Sequence, residues 1–345
     1  MIKPKNLLIV RTDRIGDVVL SLPLAELVKK HYPDCRVTFL LKDYTKSLAE
    51  GHPFIDDILT LKEKNNKISL IDNIRQIKKN SYDAAVIVYP TFITSLIIFL
   101  SGIHKRIGTG YRWYSLLFNY KAYEHRKNAL KHELKYNVNL LKYFGIDENV
   151  NPANVNFNLK IAPLDDQRVR TILKAKGIDL KKPVIIIHPG SGGSAVDLPL
   201  NKLKELIDII HNNLCAEILI SGAKSEMDLC HNLCVPGKTK NLAGLFNLAE
   251  LKALISYSDI FIANSTGPLH IAAALGKYVI GFYPKIPQCS PKRWGPYSDK
   301  SKVFTPNLDC SNCTREQCER LDCMSTIRVS EIFAEIEKIY KFVHK

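Results

Sequence analysis

The segment Leu7-Leu8-Ile9-Val10-Arg11-Thr12-Asp13-Arg14-Ile15-Gly16-Asp17 decides the fold class. Its four apolar residues predict a buried strand, and charge returns at once in a turn that leads into a helix. The form recurs downstream: apolar runs at 36–41 and 83–88 alternate with amphipathic stretches, the pattern of parallel strands joined by crossover helices. After an interruption it resumes at 184–187, 217–220, 259–263 and 278–282, each run followed by a helix or a Gly/Pro turn. Two doubly wound α/β domains are therefore expected, with ligands at the carboxyl ends of the strands, in the cleft between the domains.

The interruption has two parts. Residues 108–131 are aromatic and basic (Tyr111, Arg112, Trp113, Tyr114, Phe118, Tyr120, Tyr123, Arg126) without clear periodicity, and read as a long functional loop. A helix over 133–144, ended by Gly145, then precedes the Asn-rich segment 147–166 with its two prolines, where the domain boundary is placed. The expected division is an N-terminal domain over 1–160, a second over 161–327 and a final helix over 328–345. That helix carries Ile332, Phe333, Ile336, Ile339, Tyr340 and Val343 on one packing face. Residues 84–100 approach transmembrane length, but Pro90 interrupts them, so they read as strand, turn and buried helix.

The chain of 345 residues carries 49 basic and 34 acidic side chains, a formal charge of +15. Such an excess suits partners rich in phosphate or carboxylate: nucleic acid, anionic lipid or a phosphorylated glycan. A lysine excess spread over solvated surface gives the same sum, and no basic block of the kind that marks a nucleic-acid tail is present. The apolar run at 7–10 is too short for a signal peptide, and nine cysteines, an odd number, fit reduced thiols in the cytoplasm.

Where a dinucleotide fingerprint would show three spaced glycines, only Gly16 stands, which argues against a dehydrogenase. Asp17 falls near a helix N-terminus, where the helix field favours the ionised carboxylate; spacing alone fits a helix cap as well as a catalytic group. His188-Pro189-Gly190-Ser191-Gly192-Gly193-Ser194 follows a strand, and its small residues let backbone N–H groups approach an anion, though a plain flexible connection has the same composition. Without a Lys-Ser/Thr ending it does not indicate ATP hydrolysis. Ala263-Asn264-Ser265-Thr266-Gly267-Pro268-Leu269-His270 repeats the form, as an anion site, as a cap by Ser265 or Thr266, or as both. Cys310, Cys313, Cys318 and Cys323 are spaced closely enough to close a tetrahedral zinc site, with ordinary reduced thiols as the alternative.

Taken in order, these motifs resemble glycosyltransferase family 9, the lipopolysaccharide heptosyltransferases. The resemblance runs over nearly the full length, through Ile15-Gly16-Asp17-Val18-Val19 with Leu22-Pro23, His188-Pro189-Gly190-Ser191-Gly192, Asn264-Ser265-Thr266-Gly267-Pro268-Leu269-His270-Ile271-Ala272-Ala273-Ala274 and Arg293-Trp294-Gly295-Pro296-Tyr297. It implies a GT-B enzyme, with two Rossmann-like domains facing a central cleft, that moves a heptose from ADP-heptose to the lipid A–core acceptor with inversion. Asp17 matches the family's base. Ser191, Gly192, Ser265, Thr266, Gly267 and His270 match positions that hold the donor diphosphate and sugar, and Glu226 in Gly222-Ala223-Lys224-Ser225-Glu226 matches an acidic residue for the ribose hydroxyls.

On that reading Arg14, Arg112 and Arg126 are expected at the acceptor, on the N-terminal domain. No Asp-x-Asp motif is present to supply a divalent metal, so neither metal nor cofactor is expected, and the leaving diphosphate falls to helix ends and basic side chains. The expected partners are ADP-heptose, an anionic glycolipid and, peripherally, the cytoplasmic face of the inner membrane, with no nucleic acid. One departure stands out. A family Lys or Arg, followed two residues on by Trp, is replaced before Pro199 by Val196 and Leu198. The missing cation leaves Arg11, Arg14, Lys224 or Lys292 as substitutes, and leaves open a catalytically silent nucleotide-sugar or glycan-binding protein on the same scaffold.

Overall fold

Asn6–Val10 (β1) is buried along its last four residues because it forms hydrogen-bonded ladders on both edges and is covered by helices on both faces. A computed structural model describes residues 3–308, 310 and 313–343. Met1, Ile2, Asp309, Ser311, Asn312, His344 and Lys345 lie outside the described residues, so part of the Cys310–Cys313 motif and the last two residues of the expected final helix are not covered. The chain divides into two units: residues up to Arg126 with Lys131–Lys160, and Lys127–Leu130 with the residues from Ile161 onward.

In the first unit β1 is followed by α1 (Ile15–Val19), α2 (Pro23–His31), β2 (Arg36–Leu41), β3 (Asp57–Thr60), α3 (Leu70–Lys78), β4 (Ala84–Ile87), α4 (Phe92–Leu100), β5 (Lys105–Thr109), β6 (Tyr120–Ala122) and α5 (Glu133–Asn139). The sheet order is β3-β2-β1-β4-β5-β6, all parallel. The chain order therefore reverses between β1 and β4, and the turn carrying Asp17 leaves β1 at that switch point.

The second unit repeats the plan with α6 (Pro163–Ala175), β7 (Val184–His188), α7 (Leu200–Asn213), β8 (Glu217–Ile220), α8 (Met227–Leu233), β9 (Lys240–Asn241), α9 (Leu248–Ser256), β10 (Ile260–Asn264), α10 (Gly267–Ala274), β11 (Tyr278–Phe282), α11 (Pro291–Trp294), β12 (Ser301–Phe304), α12 (Arg315–Arg320) and α13 (Val329–Val343). Its order is β9-β8-β7-β10-β11-β12, again parallel, with the switch between β7 and β10. Ile185, Ile187, Ile218, Ile220, Ile260 and Ile262 build its core. α13 is part of this unit: Ile332, Ile336 and Ile339 are buried in the same core.

Two expectations need correction. Residues 108–131 are not one loop, since they contain the end of β5, a 3-10 turn (Trp113–Leu117), the edge strand β6 and a second 3-10 turn (Arg126–Asn128). A half-exposed strand of three residues is too short to show alternation. Nor is α4 simply a buried helix: Ile97 and Ile98 enter the core, while Phe92, Ile93, Phe99 and Leu100 are exposed. Among the described residues no helix is long and apolar enough to cross a membrane.

Candidate active site

The turn after β1 places Arg11 beneath α1 with its guanidinium fully buried. A buried cation needs partners, and Arg11 has three carboxylates: Asp17, which accepts from its Nη2, Asp13 at 2.8 Å from Nε and Glu133 at 3.7 Å from Nη1. Burial alone would lower its pKa, but Asp13, Asp17 and Glu133 together raise it well above the ordinary value, so Arg11 stays charged. Asn137 ties the network to the chain: it donates to the Leu20 carbonyl at 3.1 Å and accepts from Arg126 Nη1 at 3.2 Å. Arg126 also donates to Glu133.

Asp17 lies in the first turn of α1 but is not its cap; Arg14 holds the N-cap position without a capping side-chain bond. Arg11 holds the carboxylate of Asp17 by one oxygen, Oδ1, leaving Oδ2 for another partner. Asp13 differs from it. Burial pushes its carboxyl up to about 7; the Arg11 charge offsets part of this and the Asp17 charge adds to it.

In the second unit three neighbouring strands, β8, β7 and β10, deliver their following turns to the same sheet end. His188 ends β7 opposite Ala263 of β10. Its Nδ1 meets Ser221 Oγ, after β8, at 3.0 Å, and its Nε2 lies 3.7 Å from Glu226 Oε2. Burial lowers the His188 pKa against the upward pull of Glu226, so the ring is neutral near pH 7. Glu226 Oε2 accepts from the Ala223 amide at 2.9 Å, and its other oxygen lies over Gly190, where an added Cβ would stand 2.0 Å away. Gly190 is thus required for that carboxylate to stand beside the loop. The next turn uses left-handed backbone at Gly192 (φ 56°) and Gly193 (φ 74°).

Asn264, last residue of β10, pins this loop from both ends. Its Nδ2 donates to the Pro189 carbonyl at 2.6 Å, and its Oδ1 accepts from the Leu198 amide at 2.8 Å. Ser191 is buried, as are Ser265 and His270. Thr266 is the N-cap residue of α10, but its side chain makes no capping bond, so the cap reading of the sequence does not describe its hydroxyl. The start of α10 and the Ser191 loop therefore stand on adjacent strands, both built of small residues, with the Ser191 amide held by Asp197 and the Ser265 amide by the Phe282 carbonyl.

The glycosyltransferase family 9 (heptosyltransferase) model matches residues 71–323. The chain belongs to glycosyltransferase family 9. A Haemophilus influenzae protein provisionally described as a glycosyltransferase is 30% identical over 314 residues, covering 88% of this chain and 89% of its own. Lipopolysaccharide heptosyltransferase 3 of Escherichia coli is 24% identical over 335 residues, with 94% and 96% covered. The solved structure of the Escherichia coli ADP-heptose lipopolysaccharide heptosyltransferase II has a TM-score of 0.78 at 17% identity, covering 99% of this chain and 100% of that one. The fold is GT-B.

Within this family 9 chain, Val196 and Leu198 face inward: Leu198 is buried and Val196 packs on the core. Of the substitutes considered for the missing cation, Arg11 is committed to its carboxylates. Arg315 on α12, ion-paired with Glu319 at 2.8 Å, also reaches the glycine loop. It donates to the carbonyls of Gly193 at 3.1 Å and Ala195 at 3.3 Å. No sequence pattern marks it, because 120 residues separate it from the loop.

The acceptor candidates do not all meet. Arg126 joins the Arg11–Asp17 network through Glu133 and Asn137, Arg14 is exposed at the start of α1, and Arg112 is exposed beside Tyr114. The cysteines form a core of their own: Cys313, Cys318 and Cys323 are buried with Ile286, and Cys289 and Cys310 pack against them. Burial, with the neighbouring thiols, pushes Cys318 up to about 12, so it is a neutral thiol. Among the described residues no group of three or more His, Cys, Asp or Glu side chains is arranged to hold a metal ion.

Proposed function

We propose that this chain transfers a heptose from ADP-heptose to the lipid A–core of lipopolysaccharide, without a metal and with inversion, as a cytoplasmic enzyme that works at the inner membrane. The observation that carries the reading is the pairing of chemistries at the two switch points: a carboxylate held by a buried arginine after β1, and an anion-binding edge after β8, β7 and β10.

In this reading ADP lies on the second unit. Glu226 accepts from the ribose hydroxyls. The diphosphate sits against the Ser191–Gly192 loop and the start of α10 at Ser265, Thr266 and Gly267, while His270 helps to hold the sugar. Arg315 supplies the charge that Val196 lacks. Arg14, Arg112 and Arg126 serve the phosphorylated acceptor on the first unit.

The reaction is a single displacement. The acceptor hydroxyl oxygen forms a bond to the anomeric carbon as the bond to the β-phosphate oxygen breaks, and the electron pair leaves with ADP. Asp17 takes the hydroxyl proton late, once the attacking oxygen has become acidic in the transition state. Oriented N–H groups and Arg315 stabilise the charge that grows on the leaving diphosphate.

The test is transfer by the purified chain onto heptose-free core lipid, with the new linkage read by NMR and the assay repeated with EDTA. One added heptose of opposite anomeric configuration, formed equally with EDTA, is expected. ADP-heptose binding without transfer would favour the silent nucleotide-sugar-binding reading. Retained configuration would make the carboxylate a nucleophile, and loss with EDTA would call for a metal.

A further inference from the structure

α4 divides its apolar side chains between the core and solvent. It turns its hydroxyls inward: Thr94 and Ser95 are buried, Thr94 in a reciprocal cap with Thr91, and Ser95 donating to the Thr91 carbonyl at 2.6 Å. Ile97 and Ile98 enter the core, but four other apolar side chains face solvent, with Phe92 41%, Ile93 42%, Phe99 43% and Leu100 45% exposed. The 3-10 turn Trp113–Leu117 continues this surface, since the Phe92 and Trp113 rings pack with centroids 4.8 Å apart, tilted by 31°, and Trp113 and Leu116 are 72% and 69% exposed. Six large apolar side chains on one face form a patch that a soluble monomer does not leave uncovered without use.

The charge around the patch says what covers it. Between Asp83 and Glu124 the chain has no acidic residue and four basic ones, Lys105, Arg106, Arg112 and Lys121. Arg106 lies over the Phe99 ring at 5.0 Å, so a cation borders the apolar face directly. A second copy would bring like charge against like charge, whereas an anionic lipid leaflet offers phosphate to the cations and acyl chain to the apolar rings. Exposed Trp beside Arg and Lys is the pairing that settles at the headgroup boundary. A helix of nine residues is about 14 Å long, too short to span a bilayer and long enough to lie in its surface.

We propose that α4, with Trp113 and Leu116, is the surface by which this chain docks on an anionic lipid leaflet. The proposal rests on the reading above, in which the acceptor is a membrane glycolipid, and adds the face on which the enzyme meets it.

The test is flotation of the full chain with acceptor-free vesicles of phosphatidylethanolamine and phosphatidylglycerol, against vesicles of phosphatidylcholine alone. Preferential binding to the anionic vesicles is expected, weakening as salt rises. Two variants are compared, Ile93→Gln with Leu100→Gln, and Trp113→Gln alone, each checked for an unchanged melting temperature. Each is expected to bind the anionic vesicles at least about tenfold more weakly. Equal flotation with both vesicle types, or variants that float like the wild type, would overturn the proposal. So would a concentration-dependent dimer that Leu100→Gln abolishes, which would assign the face to a second copy. Transfer onto detergent-dispersed acceptor by the Ile93→Gln, Leu100→Gln variant should stay near wild type. If no protein transfers heptose in any form, the proposed activity fails while the vesicle result still stands or falls by itself.

Discussion

Replacing Asp13 by Asn is expected to make the protein more stable at neutral pH, with the gain appearing only above about pH 4. The Asp13 side chain is 10% exposed, and burial raises its carboxyl from 3.8 to about 7, even with Arg11 at 2.8 Å. In the unfolded chain the same group ionises near 3.8. Between those values the native state holds a proton that the unfolded state has lost. The stability linked to Asp13 is therefore complete below about pH 4 and is lost as pH rises towards 7. Roughly three pH units at 1.36 kcal/mol each give about 4 kcal/mol. Asn is isosteric with the protonated acid and has no such loss. The assay is chemical denaturation of both proteins from pH 4 to 8 at fixed ionic strength, read as the difference between them so that other titrating groups cancel. The difference should grow in favour of Asp13→Asn by about 1.4 kcal/mol per pH unit and level off near pH 7. A flat difference, or a wild type that gains on the variant as pH rises, would refute the conclusion that burial outweighs the Arg11 ion pair.

Asn264→Ala removes both tethers of the glycine loop and leaves the Pro189 carbonyl and the Leu198 amide buried without them. It should destabilise the protein by about 2–4 kcal/mol in denaturant melts. Gly190→Ala would set a methyl group 2.0 Å from Glu226 Oε1. Because that carboxylate ends a flexible side chain it can swing aside, so stability should change by less than about 1 kcal/mol. ADP affinity by calorimetry should fall about tenfold with the loss of its placed carboxylate. Arg315→Gln should weaken ADP about tenfold and leave adenosine binding unchanged, since the charge serves the phosphates; equal losses for both ligands would move Arg315 away from them.

The central strands were legible in the sequence because burial on both faces leaves them as largely apolar runs: 36–41, 217–220 and 278–282 coincide with β2, β8 and β11. The strands that escaped lie away from the switch points. β3, β5, β6, β9 and β12 are short or partly exposed, and Lys240–Asn241 has only two residues from which to show a period. Helix α4 was read by its apolar content, but composition does not say which way such residues face, and Thr94 and Ser95 take the inner side.

For the candidate site, local turns could be read and long-range partners could not. The loop at Ser191 and the turn at Ser265 follow recognisable strands, and the parallel sheet brings them onto adjacent strand ends. Glu133 and Asn137 meet Arg11 from more than a hundred residues away, and Arg315 meets Ala195 from 120. Charge at a helix surface gives no sign of such a partner, so these contacts required the fold.

The most direct measurement is the single-turnover rate of heptose transfer by Asp17→Asn, set beside its affinity for ADP. Asn keeps the side-chain shape and a contact for Arg11 but cannot take a proton. The rate should fall at least about a hundredfold while ADP binds as tightly as to the wild type. A variant that transfers at near-normal speed would show that proton removal lies elsewhere and that the carboxylate after β1 only holds Arg11.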